Sequence, residues 1–230
     1  MLSSKELRTR AWNSLKGKYW MAFIVVFVFG IFLSVGSNFI TLSQSLSNIV
    51  NSVDPSEMDS TMQLGAVVIL AASSVVGIVG LLLSIFVESA AQVGLCNYFI
   101  KNTYSKPSFA DAFSGFKVRY LRNTGALLLM SIKLALWYCL LIVPGIIKSF
   151  EYAIIPYILA DDPTISTKEA FKKANVMMKG NKWRLFVLDF SFIGWALLCV
   201  LTLGIGTFFL MPYVNAAAAE FYVELKGMQN

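Results

Sequence analysis

The chain is 230 residues long, 57% hydrophobic and only 14% charged, with a formal net charge of +6 and a mean hydropathy of +0.68. Soluble globular domains carry about a quarter of their residues charged, so the composition excludes an ordinary soluble enzyme and predicts an all-α, polytopic membrane protein. The sequence has no polar linker between halves, so residues 1–230 read as a single membrane domain.

Residues 3–23 read SSKELRTRAWNSLKGKYWMAF. Ser3 and Glu6 have the spacing of a capping box, in which the two side chains cap each other's exposed amides. A basic amphipathic helix is predicted there, then a break at Lys16-Gly17, then an interfacial Trp20, then a first span at roughly 19–40. A signal peptide is the competing reading of residues 1–36, with Ser34-Val35-Gly36 as a weak cleavage site. The apolar run is long enough to remain as a span, and a second copy of the device lies deep inside the chain. The loop 41–63 holds Asp54, Glu57 and Asp59 and no Lys or Arg. A second span follows at 64–87, with Ser73, Gly77 and Gly80 as small residues that permit close helix packing. Glu88 lies at its predicted cytoplasmic end.

The next connection carries Lys101, Lys106, Lys117, Arg119 and Arg122, and within it Ser108 and Asp111 repeat the capping-box spacing. Spans three and four are predicted at 122–143 and 145–160. The fourth is short, about 22 Å of helix at 1.5 Å per residue. Residues 166–186, STKEAFKKANVMMKGNKWRLF, then match residues 3–23 without gaps at eight of 21 positions: Ser166, Lys168, Glu169, Ala174, Lys179, Gly180, Trp183 and Phe186. Spans five and six follow at 183–203 and 206–223. Pro156-Tyr157 in span four echoes Pro212-Tyr213 in span six, and a proline inside a span is expected to kink it.

The chain therefore reads as about six transmembrane helices in three parallel repeats, each an amphipathic helix followed by a membrane hairpin. The units run over about 3–100, 108–160 and 166–225. Trp20 and Trp183, with Lys16 and Lys179, are the expected interface anchors. Seventeen of the 19 basic residues fall on one side of the six spans, so the positive-inside rule predicts a multi-pass plasma-membrane protein with both termini cytoplasmic. The basic residues flank apolar runs rather than forming one stripe, which argues against nucleic acid.

Histidine is absent, which removes the commonest general base and metal ligand. Cys96, Cys139 and Cys199 lie far apart in apolar runs and read as buried reduced thiols. With no phosphate-binding glycine loop and no GxSxG motif either, the sequence predicts no enzyme, no metal and no cofactor. Its polar candidates are charges inside the spans. Lys133 lies about 15 Å into span three and Asp189 about 9 Å into span five. A Lys133–Asp189 pair is one expectation, and Glu151 in span four is the alternative partner of Lys133. Such a site could hold an anionic headgroup or relay a proton; the alternative is a charge pair that fixes helix register.

Five stretches carry a family resemblance: Val143-Pro144-Gly145-Ile146-Ile147, Ile155 through Pro163, Lys179-Gly180-Asn181-Lys182-Trp183, Gly194-Trp195, and Pro212-Tyr213 with Ala219-Glu220-Phe221-Tyr222. Together they resemble a bacterial integral-membrane family, Domain of Unknown Function 975. The chain is also similar to the membrane portion of some glycerophosphodiester phosphodiesterases, without their catalytic domain. The resemblance implies a Gram-positive-type plasma-membrane protein of about six helices and brings no established activity. The expected function is non-enzymatic. It is binding of anionic inner-leaflet lipids, or of another membrane protein or peptide, in envelope homeostasis or protection against membrane-active peptides. The alternative is a transporter or flippase-like carrier of a lipid or amphiphile that uses Lys133 and Asp189.

Overall fold

The structure, a computed structural model, describes residues 1–54 and 58–228; Glu57 of the acidic loop lies outside the described residues. No strand occurs among them. In chain order the helices are α1 (Ser4–Leu15), α2 (Tyr19–Asn51), α3 (Ser60–Leu83), a π-helical turn (Ser84–Glu88), α4 (Ser89–Tyr104), α5 (Phe109–Ala112), α6 (Ser114–Lys117), α7 (Tyr120–Leu140), α8 (Ile142–Tyr152), α9 (Ile155–Asp161), α10 (Thr167–Met178), α11 (Lys182–Phe190), α12 (Ile193–Leu201) and α13 (Ile205–Gly227).

Five helical runs are long and apolar enough to cross a membrane: Tyr19–Asn51, Ser60–Tyr104, Tyr120–Leu140, Ile142–Asp161 and Lys182–Leu201. The sixth expected span, 206–223, is helical within α13, but Asn215 and Glu220 dilute its apolar run and it does not reach that standard. The fourth run is longer than expected, 20 residues, because the helix starts ahead of Pro144. It breaks at Ala153-Ile154. Pro156 therefore sits near the start of α9, where its missing N–H is harmless, instead of kinking a continuous helix; Pro212 does lie inside α13. Glu88 lies inside the second run. The helix runs on for sixteen residues through α4.

The three Ser-x-x-acid signals all become capping boxes, at Ser3/Glu6, Ser108/Asp111 and Ser166/Glu169. After α1 and α10 the chain turns through Gly17 at φ +75° and Gly180 at φ +80°. A side chain in that left-handed region meets the following carbonyl and costs about 1–2 kcal/mol, which explains the repeated Lys-Gly. Ahead of α7 the left-handed residue is Arg119, at φ +46°.

The chain packs as two compact units. The first comprises Met1–Phe29 and Ser89–Asn230. Its centre is the buried face of α4, which packs on α9 and α13. Tyr98, Phe99, Ile155, Ile158, Leu159, Phe221 and Tyr222 are all at most 2% exposed, and each such side chain contributes about 1.5–3 kcal/mol by burial. Around this centre the capped helices dock in a regular order. α5 and α6 pack on α4, α10 packs on α8 and α9, and α1 packs on α13. Each leans on the helix that closes the preceding hairpin, and the first leans on the last. Of the large apolar side chains of α10, Phe171, Met177 and Met178 are accordingly buried in protein, whereas Val176 is exposed.

The second unit, Gly30–Glu88, is a hairpin of α2 and α3. Its contact is built from small residues. Ser43 Oγ donates to the Ser73 carbonyl at 2.7 Å and the Ser47 and Ser73 hydroxyls lie 2.9 Å apart. A Cβ at Gly80 would stand 2.8 Å from the Phe39 Cβ. Such close approach is how helices associate where no hydrophobic driving force exists between them.

Candidate functional site

The charged centre of the molecule lies in the first unit, where α7, α8 and α10 meet. Glu151, near the end of α8, is 3% exposed. Its carboxylate accepts from Lys148 Nζ at 2.7 Å, from Lys182 Nζ at 2.5 Å and from Asn175 Nδ2 at 3.1 Å. A buried carboxylate is tolerated only when paired and fully hydrogen-bonded, and three donors from three helices meet that condition. Lys148 also lies 5.7 Å from the Trp137 ring and 5.8 Å from the Tyr152 ring.

Lys133 stands one helix away. Its ammonium lies 4.1 Å from the centre of the Phe171 ring, close enough for a cation–π attraction of about 0.5–2 kcal/mol. No carboxylate pairs with it among the described residues. The expected Lys133–Asp189 pair does not form. Asp189 is exposed on α11 and has no ion-pair partner among the described residues. The alternative partner, Glu151, lines the same pocket as Lys133, but its oxygens are taken by Lys148, Lys182 and Asn175.

That pocket measures about 330 Å³ and is lined by Lys133, Lys148, Glu151, Tyr152, Phe171, Lys172, Asn175 and Val176. With Lys182, four lysines surround one glutamate. Lys148 and Lys182 share the Glu151 charge, while Lys133 and Lys172 remain without a carboxylate partner among the described residues. The excess is positive, and two aromatic faces border it. An anion with an apolar body suits such a site; a cation does not.

Lys148 could have been found in the sequence. Lys133 and Lys148 are the two basic residues that the side-of-membrane count leaves over, and both line this pocket. Asn175 and Lys182 carried no sequence signal of this role, because their function depends on a carboxylate two elements away.

The expected anchors take matching positions. Lys16 and Lys179 close α1 and α10. Trp20 and Trp183 are 69% and 70% exposed, each against the phenylalanine three residues on, Phe23 and Phe186. Outside the spans, hydrogen bonds from the Ser3 amide and hydroxyl hold the Glu6 carboxyl below its ordinary range, and the corresponding bonds of Ser166 do the same for Glu169. Asp111 is lowered chiefly by its bond to Lys101, at 2.6 Å. Asp162 is lowered by the Thr164 hydroxyl and amide. Arg122 binds the carbonyls of Leu159, Asp162, Pro163 and Ile165 and closes the end of α9. Arg184 joins Glu224 to the Leu2 carbonyl, which fastens α11 and α13 to the amino terminus. Cys96 and Cys199 are buried and Cys139 is exposed; all three are free thiols.

Comparison with curated proteins and with solved structures gave no match. The five stretches that carry the family resemblance all lie between residues 143 and 222, and residues 139–229, less than half of the chain, match the family model described as "Protein of unknown function (DUF975)".

Proposed function

We propose that this protein is a non-enzymatic, multi-pass plasma-membrane protein with both termini cytoplasmic, and that it binds the phosphate headgroup of an anionic lipid in the Lys133 pocket. One observation carries the reading: three lysines line a pocket whose single glutamate is already shared between Lys148 and a fourth lysine, Lys182. A phosphate oxygen placed between Lys133 and Lys172 would gain charge-assisted hydrogen bonds, and Phe171 and Tyr152 offer apolar surface to the glycerol and first methylenes. The lysine-rich side of the chain also suits the anionic inner leaflet of a plasma membrane. Binding of this kind would serve envelope homeostasis or protection against membrane-active peptides.

The test is native mass spectrometry of the full chain released from bilayers that contain phosphatidylglycerol and phosphatidylcholine in equal amounts. The wild type should retain phosphatidylglycerol. The double variant Lys133→Gln/Lys172→Gln should lose at least about tenfold in retention, because it removes two charge-assisted hydrogen bonds of about 1.5–3 kcal/mol each. Equal retention of the two lipids by the wild type, or undiminished retention by a folded double variant, would overturn the reading.

A further inference from the structure

A second cavity lies in the same unit, between α1 and the hairpin of α12 and α13. It measures about 500 Å³ and is lined by ten residues, none charged. Trp12, Tyr19 and Tyr213 form one end; Cys199, Thr202 and Gly206 form the other. Seven residues of α13 separate Gly206 from Tyr213, so the cavity extends for about 10 Å.

Its polar groups divide by end. Thr202 Oγ1 donates to the Cys199 carbonyl and accepts from the Gly206 amide, both at 2.9 Å. The far end is thereby closed to polar ligands. At the aromatic end Tyr19 donates to the Phe209 carbonyl at 2.6 Å. The Trp12 indole N–H and the Tyr213 hydroxyl, whose rings are 6.0 Å apart, make no hydrogen bond among the described residues. An apolar tube with two free donors at one mouth fits a hydrocarbon chain that ends in a hydrogen-bond acceptor, as an ester-linked acyl chain does.

The source follows from the walls. α12 belongs to the apolar run Lys182–Leu201 and Tyr19 begins the run Tyr19–Asn51, both long enough to cross a membrane. A bilayer meeting these helices presents acyl chains at far higher concentration than any dissolved ligand. The position of the cavity is a further, independent pointer. Trp12 corresponds to Asn175, and Tyr19 to Lys182, in the two matching sequence stretches. Asn175 lines the basic pocket and Lys182 binds its glutamate. One pair of equivalent positions, Trp12 and Asn175, therefore lines a cavity in both stretches, one apolar and one charged.

We propose that the Trp12–Tyr213 cavity holds one acyl chain of a membrane phospholipid. The test uses the full chain in vesicles containing phosphatidylcholine with a photoreactive diazirine in one acyl chain, with the labelled residues located by peptide mass spectrometry. The neutral headgroup separates this site from the lysine pocket. Label should concentrate on the buried Cys199 and the part-buried Leu210, about tenfold above the exposed Val200 and Leu201, as 1.4 kcal/mol of preference gives. Leu198→Trp and Leu210→Trp each fill the cavity and should abolish that enrichment; either variant suffices if the other fails to fold. Lys133→Gln/Lys172→Gln should leave it unchanged, so the two sites fail separately. Even labelling over the outward-facing residues, or enrichment that survives in a folded cavity-filled variant, would overturn the proposal. So would labelling that occurs only with a dissolved fatty acid.

Discussion

The two capped helices α1 and α10 start from nearly the same sequence and end against opposite chemistries. Both bury an alanine and its neighbour one turn back, Ala11 with Leu7 and Ala174 with Ala170. Both finish at a left-handed glycine and an exposed tryptophan. Their cavity-facing positions differ. α1 presents Trp12 to an uncharged cavity, whereas α10 presents Phe171, Lys172 and Asn175 to a basic one. The shared residues are those that stop the helix and seat it; the divergent ones face a cavity. Matching caps and turns thus seat two helices whose cavity walls differ in charge.

The comparison can be broken most forcefully at Glu151. Glu151→Leu leaves Lys148 and Lys182 without their shared anion and should cost about 3–5 kcal/mol, read as a fall in unfolding temperature in detergent. Glu151→Gln keeps the hydrogen-bond acceptor and should cost less. A small loss with leucine would mean that water already neutralises the lysines. No acidic residue lines the cavity beside α1, so no substitution there should match this loss.

The shared turn gives the next effect. Gly17→Ala and Gly180→Ala should each destabilise by about 1 kcal/mol, and by similar amounts if the two copies are seated alike. Arg119 is the natural control. Its left-handed backbone should be relieved by Arg119→Gly, which should leave stability unchanged or raise it slightly. Equal losses at all three positions would show that the side chains, not φ, decide.

The smallest effect concerns pH. Glu6, Asp111 and Glu169 have folded-state values held below the ordinary ones by their caps and, for Asp111, by Lys101. A depressed acid contributes stability that is fully present above its unfolded value and is lost as pH falls through the folded one. Stability should therefore be flat above about pH 5 and decline below it. Ser3→Ala and Ser166→Ala, each costing about 1 kcal/mol, should shallow that decline. A decline of unchanged slope in both variants would place the titration elsewhere.

Helix content, the capping boxes, the Lys-Gly turns and most of the apolar runs were legible in the sequence, because each is set by residues within a few positions of one another. The site was only half legible. Lys133 and Glu151 stand out as charges in apolar runs, but their partners come from other helices. The Lys133–Asp189 pairing failed for that reason: depth along a helix says nothing about azimuth, and Asp189 faces outward while Lys133 faces α10. The dilution of the sixth run and the extension of the second through α4 have a related cause. Both α13 and α4 have mixed composition because their faces are buried in protein rather than in lipid.

By itself, then, the sequence determined the three capping boxes, the two Lys-Gly turns, which segments are apolar enough for a membrane, and that residues 3–23 are matched at 166–186, since local hydrogen bonding and hydrophobic run length need no distant partner. Only the tertiary structure decided which lysines share Glu151, which helix docks on which hairpin, and that equivalent helix positions face one charged and one apolar cavity. Those are matters of which surfaces meet, and burial and Coulomb energy depend on neighbours that lie far apart along the chain.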